Sequence, residues 1–391
     1  MKHYDFTTVL DRRNSDSIKW NESALKQVCG NPKAIPLWVA DMDFAAPPEV
    51  IQALKNRVDH GVFGYAVGPR DVFKHFIHWT RSRFNWEADP GHICYTPGII
   101  SALATAVSLY SSPGDGVIIQ PPVYRPFYSL IKAQDRRVLE NPLLYDDGRF
   151  TMDFDHLETL MKESSLMLLC SPHNPSGRVW TEGELRELSR LAKKHSVLVV
   201  SDEIHADMTY TGHTHHPMGS ILENSITCMA PSKTFNIAGE HFSCIIIPDE
   251  NMRNRFSRRL SAFAMHEPGI TARTASLAAY RHGEPWLKEL IKLLEKHVTL
   301  MDQFFTHEVP EVKFIAPEAS FIAFLDVSEL EKRLLPGEDL VNLLGTKGGI
   351  ALHRGSWFGT GGEGFVRINF GTPTSILTDA LQRFKRVVSL I

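Results

Sequence analysis

A lysine, an aspartate and an asparagine each follow a short apolar run along this chain. Lys233 lies in the segment Pro-Ser-Lys-Thr-Phe-Asn, Asp202 ends the run Val-Val-Ser-Asp, and Asn174 lies in Ser-Pro-His-Asn-Pro-Ser-Gly. A lysine amine reacts with a carbonyl, a carboxylate keeps a pyridinium nitrogen protonated, and an amide donates to a phenol oxygen. Pyridoxal phosphate requires these three groups around its ring, and their combination is far more specific than any one residue.

Each of these residues also has a structural alternative. Lys233 is predicted to hold the cofactor through a Schiff base and then to remove the substrate Cα proton, although a lone lysine is usually a solvated cation. Asp202 alone would more often cap a helix, and Asn174 would more often be a turn residue. His205 could reach the same ring oxygen as Asn174 or only support the ring, and both interpretations stay open.

A phosphate group needs backbone donors at the start of a helix. The segment Thr-Pro-Gly-Ile-Ile-Ser-Ala supplies such a turn, so Gly98, Ile99 and Ile100 are predicted to bind the cofactor phosphate, with a hydroxyl from Ser232. No G-x-G-x-x-G motif opens a predicted helix and no Walker-type loop is present, which argues against a nucleotide site.

Two further residues are candidates for ring and substrate binding. Tyr124 follows a double proline and is predicted to stack on the cofactor ring, although a tyrosine at a strand end is as often part of the core. Arg367 lies in the apolar segment Gly-Phe-Val-Arg-Ile-Asn-Phe-Gly, where a substrate carboxylate is a better explanation than a structural ion pair. The cluster His213, His215 and His216 lacks a supporting frame of ligands, so no metal site is predicted.

Short apolar runs alternate with amphipathic patterns through the first 285 residues, which predicts an α/β fold with a mostly parallel mixed sheet between helices. The predicted strands are His92–Tyr95, Gly116–Gln120, Leu166–Cys170, Val197–Ser201, Ile226–Met229 and Phe242–Ile247. The predicted helices are Ile99–Tyr110, Phe127–Ala133 and Glu182–His195. Ligands of such sheets bind beyond the carboxyl ends of the strands, so the candidate residues should converge on one crevice.

The C-terminal part differs in pattern and predicts a smaller α+β domain. Its predicted elements are a helix Trp286–Val309, strands Val312–Ile315 and Phe321–Asp326, a helix near Gly337–Gly345, a strand Ile350–His353, a loop Gly355–Gly364 and a strand Phe365–Phe370. We expect residues 49–285 to form the large domain, and residues 1–48 and 286–391 to form the small one.

The composition favours an ordinary globular enzyme. The net charge of −3 over 391 residues predicts no binding to nucleic acid, and the partners expected are a small-molecule substrate and a second copy of the chain. The five cysteines form no C-x-x-C pair, which favours free thiols in a reducing compartment. Because no apolar leader or membrane-spanning run is present, we expect a cytoplasmic protein without membrane contact.

Seven motifs, taken together, resemble those of the fold-type I pyridoxal-phosphate enzymes, the aspartate aminotransferase superfamily. Within it the chain is similar to the MalY/PatB group of cystathionine β-lyases and cysteine-S-conjugate β-lyases. The motifs are Leu37-Trp-Val-Ala-Asp-Met-Asp-Phe44, Phe63-Gly-Tyr65, Pro121-Pro-Val-Tyr124, Ser171-Pro-His-Asn-Pro-Ser-Gly177, Ser201-Asp-Glu-Ile-His205, Pro231-Ser-Lys-Thr-Phe-Asn-Ile-Ala-Gly239 and Gly364-Phe-Val-Arg-Ile-Asn369.

The resemblance implies a homodimer with shared active sites, in which Tyr65 reaches the cofactor phosphate of the neighbouring protomer. It also implies that Ala40 lines the pocket of the substrate carboxylate. Two positions depart from the family pattern. His241 stands where many relatives have a basic residue near the phosphate, and Arg125 stands where many β-lyases have a second tyrosine.

The expected reaction is a β-elimination that cleaves cystathionine or another L-cysteine S-conjugate to a thiol, pyruvate and ammonia, with Tyr124 or Lys233 as the acid that protonates the sulfur. An aminotransferase would use the same residues and is the nearest alternative. A second alternative is a regulatory protein that keeps the cofactor and acts through protein contacts. The sequence leaves the choice of S-conjugate open.

Overall fold

The structure is a computed structural model, and it describes residues 4–391. The strands, in chain order, are β1 Ile35–Pro36, β2 Ile93–Thr96, β3 Gly116–Ile119, β4 Arg137–Glu140, β5 Leu144–Asp146, β6 Arg149–Thr151, β7 Ser164–Cys170, β8 Leu198–Asp202, β9 Ile226–Met229, β10 Ser243–Ile246, β11 Lys313–Ile315, β12 Ile322–Asp326, β13 Ile350–Ala351, β14 His353–Arg354 and β15 Phe365–Asn369. The α-helices are α1 Glu22–Cys29, α2 Pro48–Asp59, α3 Arg70–Phe84, α4 Ile99–Tyr110, α5 Pro126–Lys132, α6 Phe154–Met161, α7 Glu182–His195, α8 Met218–Ile221, α9 Pro231–Thr234, α10 Glu250–Ala262, α11 Ile270–His282, α12 Glu284–Glu308, α13 Ser328–Glu331, α14 Leu340–Leu343 and α15 Thr374–Val388.

The large sheet has seven strands in the order β2-β10-β9-β8-β7-β3-β4. Strand β10 runs antiparallel to both of its neighbours, and the other neighbouring pairs are parallel. Strands of a parallel sheet covered on both faces read as continuous apolar runs, and β7 and β8 do so because helices lie on both sides. The predicted mostly parallel sheet between helices is confirmed.

Helices α4 and α7 begin and end at the predicted residues. Helix α7 begins with a capping box, in which the Thr181 hydroxyl accepts from Glu184 N at 3.2 Å and the Glu184 carboxylate accepts from Thr181 N at 2.7 Å. The reciprocal bonds satisfy two backbone donors that a helix start leaves free, so the bounds were readable from the sequence.

A second, four-stranded antiparallel sheet has the order β11-β12-β15-β14. The predicted single strand Ile350–His353 is wrong, because β13 pairs with β1 while β14 pairs with β15, and the chain changes sheets at Leu352. The predicted helix near Gly337–Gly345 is wrong at its start. Gly337 has a φ of +89°, outside the right-handed helical region, and the Asp339 side chain caps the helix that follows.

The predicted loop Gly355–Gly364 contains a short 3-10 helix, Gly355–Phe358. A Cβ atom at Gly355 would lie 2.1 Å from the Gly362 carbonyl oxygen, so only glycine allows the two backbone segments to approach so closely. This folded loop holds the end of β14 against β15.

The N-terminal segment lies across the second sheet. Leu37 N donates to the Ala351 carbonyl at 2.9 Å, and Asn369 N donates to the Leu37 carbonyl at 2.8 Å. One apolar core extends from Tyr4 to Val388 and includes residues on both sides of the predicted domain boundaries. Among residues 4–391, no helix is both long and apolar enough to cross a lipid bilayer.

Candidate active site

A cavity of about 550 Å³ brings together all the predicted site residues except Tyr65. Those that line it are Ala40, Gly98, Ile99, Ile100, Tyr124, Asn174, Asp202, His205, Ser232, Lys233 and Arg367. Asn174 follows β7, Asp202 ends β8 and Lys233 lies in α9 just after β9. The carboxyl ends of these parallel strands meet at one edge of the sheet, which is why segments distant in sequence converge.

Lys233 lines this cavity, and its amine has a perturbed pKa. Burial lowers the pKa of Lys233 to about 8, and the nearby carboxylate of Asp41 opposes the shift. Its Nζ donates to the Ala40 carbonyl oxygen at 2.5 Å. A lysine with a lowered pKa holds a larger unprotonated fraction near neutrality, which is the form that attacks a carbonyl or accepts a proton.

Asp202 is a buried carboxylate at the end of β8. Burial raises the pKa of Asp202 to about 7, against the opposing effects of a 3.2 Å hydrogen bond from Ile204 N and the charge of Lys233. None of the ion pairs within residues 4–391 includes it. A buried ionised carboxylate destabilises the fold unless a cation or a protonated nitrogen pairs with it. The site therefore fits a pyridinium ring.

Arg367 carries a buried charge that no carboxylate neutralises within residues 4–391. Its Nη1 donates to Asn174 Oδ1 at 3.0 Å and its Nη2 donates to the Trp38 carbonyl at 2.7 Å. Its Nε is buried without a hydrogen-bond partner. The structural ion pair considered from the sequence is therefore not formed, and the free donor fits a ligand carboxylate.

Three side chains would surround a bound ring. Asn174 is buried, and because its Oδ1 accepts from Arg367, its amide nitrogen remains as the donor. His205 Nδ1 is hydrogen-bonded to Ser320 Oγ at 2.8 Å, and burial lowers the pKa of His205 to about 3, which keeps the ring neutral. Burial, and next the nearby Asp202 carboxylate, raise the pKa of Tyr124, so its phenol keeps its proton.

The start of α4 forms an anion cradle. Gly98 precedes the helix with a φ of +88°. The first backbone N–H groups, at Ile99 and Ile100, have no partner within the helix because no helical turn precedes them. Ser232 lies beside it, and the His241 Nδ1 atom is 3.7 Å from where a Cβ on Gly98 would lie. Unpaired backbone donors at a helix start, with a hydroxyl and an imidazole beside them, fit a phosphate group.

Sequence reasoning did not identify several of the residues that shape this cavity. Trp38 and His353 line it directly. Asn236, in the left-handed region with a φ of +54°, binds the N-terminal segment by donating to the Met42 and Phe44 carbonyls at 3.0 and 2.7 Å. The asparagine lies in the lysine motif, and asparagine tolerates left-handed backbone, so its place in the motif was a usable signal.

Two predicted positions lie outside the cavity. Tyr65 is fully exposed on the loop between α2 and α3, together with exposed Val62, Phe63 and Val67. Arg125 is exposed at the start of α5 and does not line the cavity.

The histidine cluster has structural contacts of its own. His215 forms a buried pair with Glu203 at 2.8 Å. Among residues 4–391, no group of three or more histidine, cysteine or acidic side chains is arranged to hold a metal ion.

Comparisons with known proteins agree with this geometry. The sequence profile of the family described as "Aminotransferase class I and II" matches residues 32–384. Cystathionine β-lyase PatB of Bacillus subtilis is 42% identical over 98% of this chain and 100% of its own. Protein MalY of Escherichia coli is 32% identical over 96% of each chain.

Solved structures are similar over the whole chain. Cystalysin from Treponema denticola, which contains pyridoxal 5′-phosphate, superposes with a TM-score of 0.93 at 36% identity and covers 99% of both chains. The pyridoxal-phosphate-bound C-S lyase from Staphylococcus hominis gives a TM-score of 0.93 at 29% identity and covers 99% of this chain and 98% of its own.

Proposed function

Because the chain belongs to the aminotransferase class I and II family, a family of fold-type I pyridoxal-phosphate enzymes, we propose that it is a carbon–sulfur β-lyase. The reaction cleaves cystathionine or another L-cysteine S-conjugate to a thiol, pyruvate and ammonia. The observation that supports this function best is the 42% identity to a cystathionine β-lyase, over nearly the whole length of both chains. The cavity of this chain also brings Lys233, Asp202 and Arg367 together.

Bound pyridoxal phosphate supplies an electron-withdrawing pyridinium that stabilises negative charge at the substrate Cα. Asp202 favours the proton on the ring nitrogen, and Asn174 donates to the ring oxygen. Ser232, His241 and the first N–H groups of α4 hold the phosphate. Tyr124 and Trp38 line the cavity, where Tyr124 would pack against the ring and both side chains would exclude water.

The same residues direct the proton transfers. Arg367 holds the substrate carboxylate, which orients the Cα–H bond, and Lys233 Nζ removes that proton. Loss of the proton drives cleavage of the Cβ–S bond. The departing sulfur would take a proton from the Lys233 ammonium or the Tyr124 phenol. The three-carbon fragment would leave as an enamine, which water hydrolyses to pyruvate and ammonia.

The test is pyruvate release from cystathionine with no keto acid present, followed with lactate dehydrogenase. We expect wild-type turnover without an acceptor, and a loss of at least about 1000-fold in Lys233→Ala, because the base and the covalent anchor are both removed. Borohydride should fix the cofactor to Lys233 in wild type and leave Lys233→Ala unlabelled. Consumption of cystathionine only after addition of a keto acid, without release of pyruvate, would contradict the proposal.

That last outcome would favour an aminotransferase. Relatives named as aminotransferases support this second candidate, among them a pyridoxal-phosphate-bound putative aminotransferase from Clostridium difficile with 36% identity and a TM-score of 0.95. The residues described above serve both reactions. The two differ in whether the β-substituent leaves, which the acceptor-free assay measures directly.

We also propose that the chain works as a homodimer with shared active sites, in which Tyr65 binds the phosphate of the neighbouring protomer. The exposed apolar side chains around Tyr65, and a cleft of about 750 Å³ beside them between Val67 and Arg273, support this arrangement. The domain division at 49–285 remains a proposal. The five buried free thiols support a reducing compartment, and we propose the cytoplasm.

A further inference from the structure

His353 and Arg367 face each other across two antiparallel strands. They are directly opposed in the register of β14 and β15, and Arg367 Nη2 lies 2.8 Å from His353 Nδ1. Opposed side chains on one face of such a pair are the closest cross-strand neighbours. A guanidinium can only donate, so His353 Nδ1 accepts, and the ring proton belongs on Nε2.

The surroundings of His353 keep the ring neutral. The ring packs edge-on against Trp38 and Trp357, with centroids 5.3 and 4.7 Å away. Burial, and next the charge of Arg367, lower the pKa of His353 well below its usual value.

The charged groups that face His353 are all cations. Arg367 comes from β15, Arg354 from β14 and Arg125 from the start of α5. Arg354 is paired with Asp339 at 2.7 Å. Among residues 4–391, no carboxylate forms an ion pair with His353. A hydrogen bond with the Trp38 backbone favours a proton on the ring, but burial and the charge of Arg367 outweigh it.

Three neutral acceptors therefore hold the guanidinium. Asn174 Oδ1, the Trp38 carbonyl and His353 Nδ1 fix its orientation without reducing its charge, and Nε remains free. A carboxylate in the place of His353 would also orient Arg367, but it would neutralise the charge and compete with the substrate. A neutral acceptor is the arrangement that preserves affinity for an incoming carboxylate.

We propose that His353 is a positioning residue, whose neutral ring fixes the Arg367 guanidinium in the plane that receives the α-carboxylate of the amino-acid substrate. This inference rests on the proposed function in that it assigns a carboxylate to Arg367. The alternative is that His353 only fills space between the two tryptophans. The two roles differ in which part of His353 affects carboxylate binding: the acceptor atom Nδ1 if His353 positions Arg367, or the ring if it only fills space.

The experiment compares His353→Phe, which keeps a flat ring without an acceptor, with His353→Asn, which restores an acceptor near the Nδ1 position without the ring. Binding of L-alanine and L-alaninamide to each cofactor-loaded protein is followed by cofactor absorbance. These ligands differ at the carboxylate and carry no leaving group. Cofactor content and thermal unfolding of each variant are measured alongside.

We expect His353→Phe to weaken L-alanine binding by about 10-fold and L-alaninamide binding by less than about 2-fold, with His353→Asn within about 3-fold of wild type for both. With S-methyl-L-cysteine, the loss should appear in KM rather than kcat. Equal weakening of both ligands, or no change in either, overturns the proposal.

A pH profile supplies a second readout that does not depend on the folding of His353→Phe. In wild type, the preference for L-alanine over L-alaninamide should fall on the acid side, well below pH 6.5, when the ring takes a proton and can no longer accept. His353→Asn should lack this fall, and a fall of equal size in His353→Asn overturns the proposal. If the binding results hold but no S-conjugate releases pyruvate, the proposed function fails and the role of His353 stands.

Discussion

Asp202 and Lys233 are two cavity residues whose pKa values are shifted by burial in the protein without cofactor. Burial raises the pKa of Asp202 to about 7, so its contribution to the free energy of unfolding falls as the pH rises from about 4 to about 7. Burial lowers the pKa of Lys233 to about 8, so its contribution rises between pH 8 and about 10.5. We expect the stability of the cofactor-free protein to pass through a minimum between pH 7 and 8.

Asp202→Asn should separate stability from function. Without cofactor, the free energy of unfolding of the variant at pH 7.5 should exceed that of wild type by about 1–3 kcal/mol, because an uncompensated buried charge is removed. The variant should therefore unfold at a higher urea concentration. With cofactor, turnover should fall by at least about 100-fold, because the amide cannot hold the proton on the ring nitrogen. Urea unfolding of both forms and the pyruvate assay measure the two effects, and a destabilised cofactor-free variant would contradict this account.

His241 should act on the phosphate of the cofactor alone. The imidazole lies beside Gly98 at the start of α4, so His241→Ala should weaken binding of pyridoxal phosphate by about 3–10-fold. Pyridoxal, which lacks the phosphate, is the matched control and should bind both proteins equally. Fluorescence titration of the cofactor-free proteins gives the four affinities. Equal loss for both compounds would mean that His241 supports the cavity wall instead.

The residues that the sequence predicted share one signal. Asn174, Asp202 and Lys233 lie at or just after the ends of strands in the large sheet, where a polar or charged side chain next to an apolar run is unusual. His353 gives no such signal, because its importance comes from an antiparallel register with Arg367 across a glycine-rich loop. Sequence spacing does not determine that register, so the partner of Arg367 was visible only in the folded chain.

At the scale of elements, helix α7 links the Asn174 loop to the second sheet. Arg178 donates to Glu184 at 2.8 Å and to Glu318 at 2.8 Å. Glu184, which belongs to the capping box of α7, is therefore also the ion-pair partner of Arg178. The helix start therefore stabilises the segment that carries Asn174.

Thr181→Ala should lower the free energy of unfolding by about 1 kcal/mol, because the helix start loses the hydroxyl that accepts from Glu184 N. Turnover at 25 °C should not change, since Thr181 does not line the cavity. Glu184→Gln is the companion variant. It keeps a capping side chain but loses the charge that Arg178 meets, so it should be the more destabilised of the two, and the reverse order in urea unfolding would contradict this reading.

Local signals also decided which elements could be predicted. Helices α4 and α7 and strand β9 have the predicted bounds because their signals are local: the Gly98 turn before α4, the capping box of α7 and the apolar run of β9. Strands β13 and β14 were merged in prediction, since each has two residues and owes its existence to a distant partner, β1 in one case and β15 in the other. Their lengths are set by tertiary pairing rather than by local preference.

At the scale of the whole molecule, the proposed shared site can be tested by mixing two defective proteins. Lys233→Ala lacks the reacting amine, and Tyr65→Ala should lack the contact with the neighbouring phosphate. A hybrid dimer has one site with both defects and one intact site. After random exchange of equal amounts, about half of the dimers are hybrids, so about a quarter of all sites are intact. The mixture should therefore show about a quarter of wild-type activity at a cofactor concentration too low to load Tyr65→Ala. Each protein kept alone is the control, and a mixture no more active than their average would contradict the shared site.

The N-terminal segment that covers Lys233 has a consequence for how the enzyme matures. Residues 35–43 hydrogen-bond to Ala351, to residues 369–371 and to Asn236, so the wall carrying the Ala40 carbonyl forms only when the last strands exist. Contacts so far apart along the chain slow folding. A chain still emerging from the ribosome would hold an unfinished vitamin B6 pocket, and capture of the vitamin should therefore follow release of the completed polypeptide.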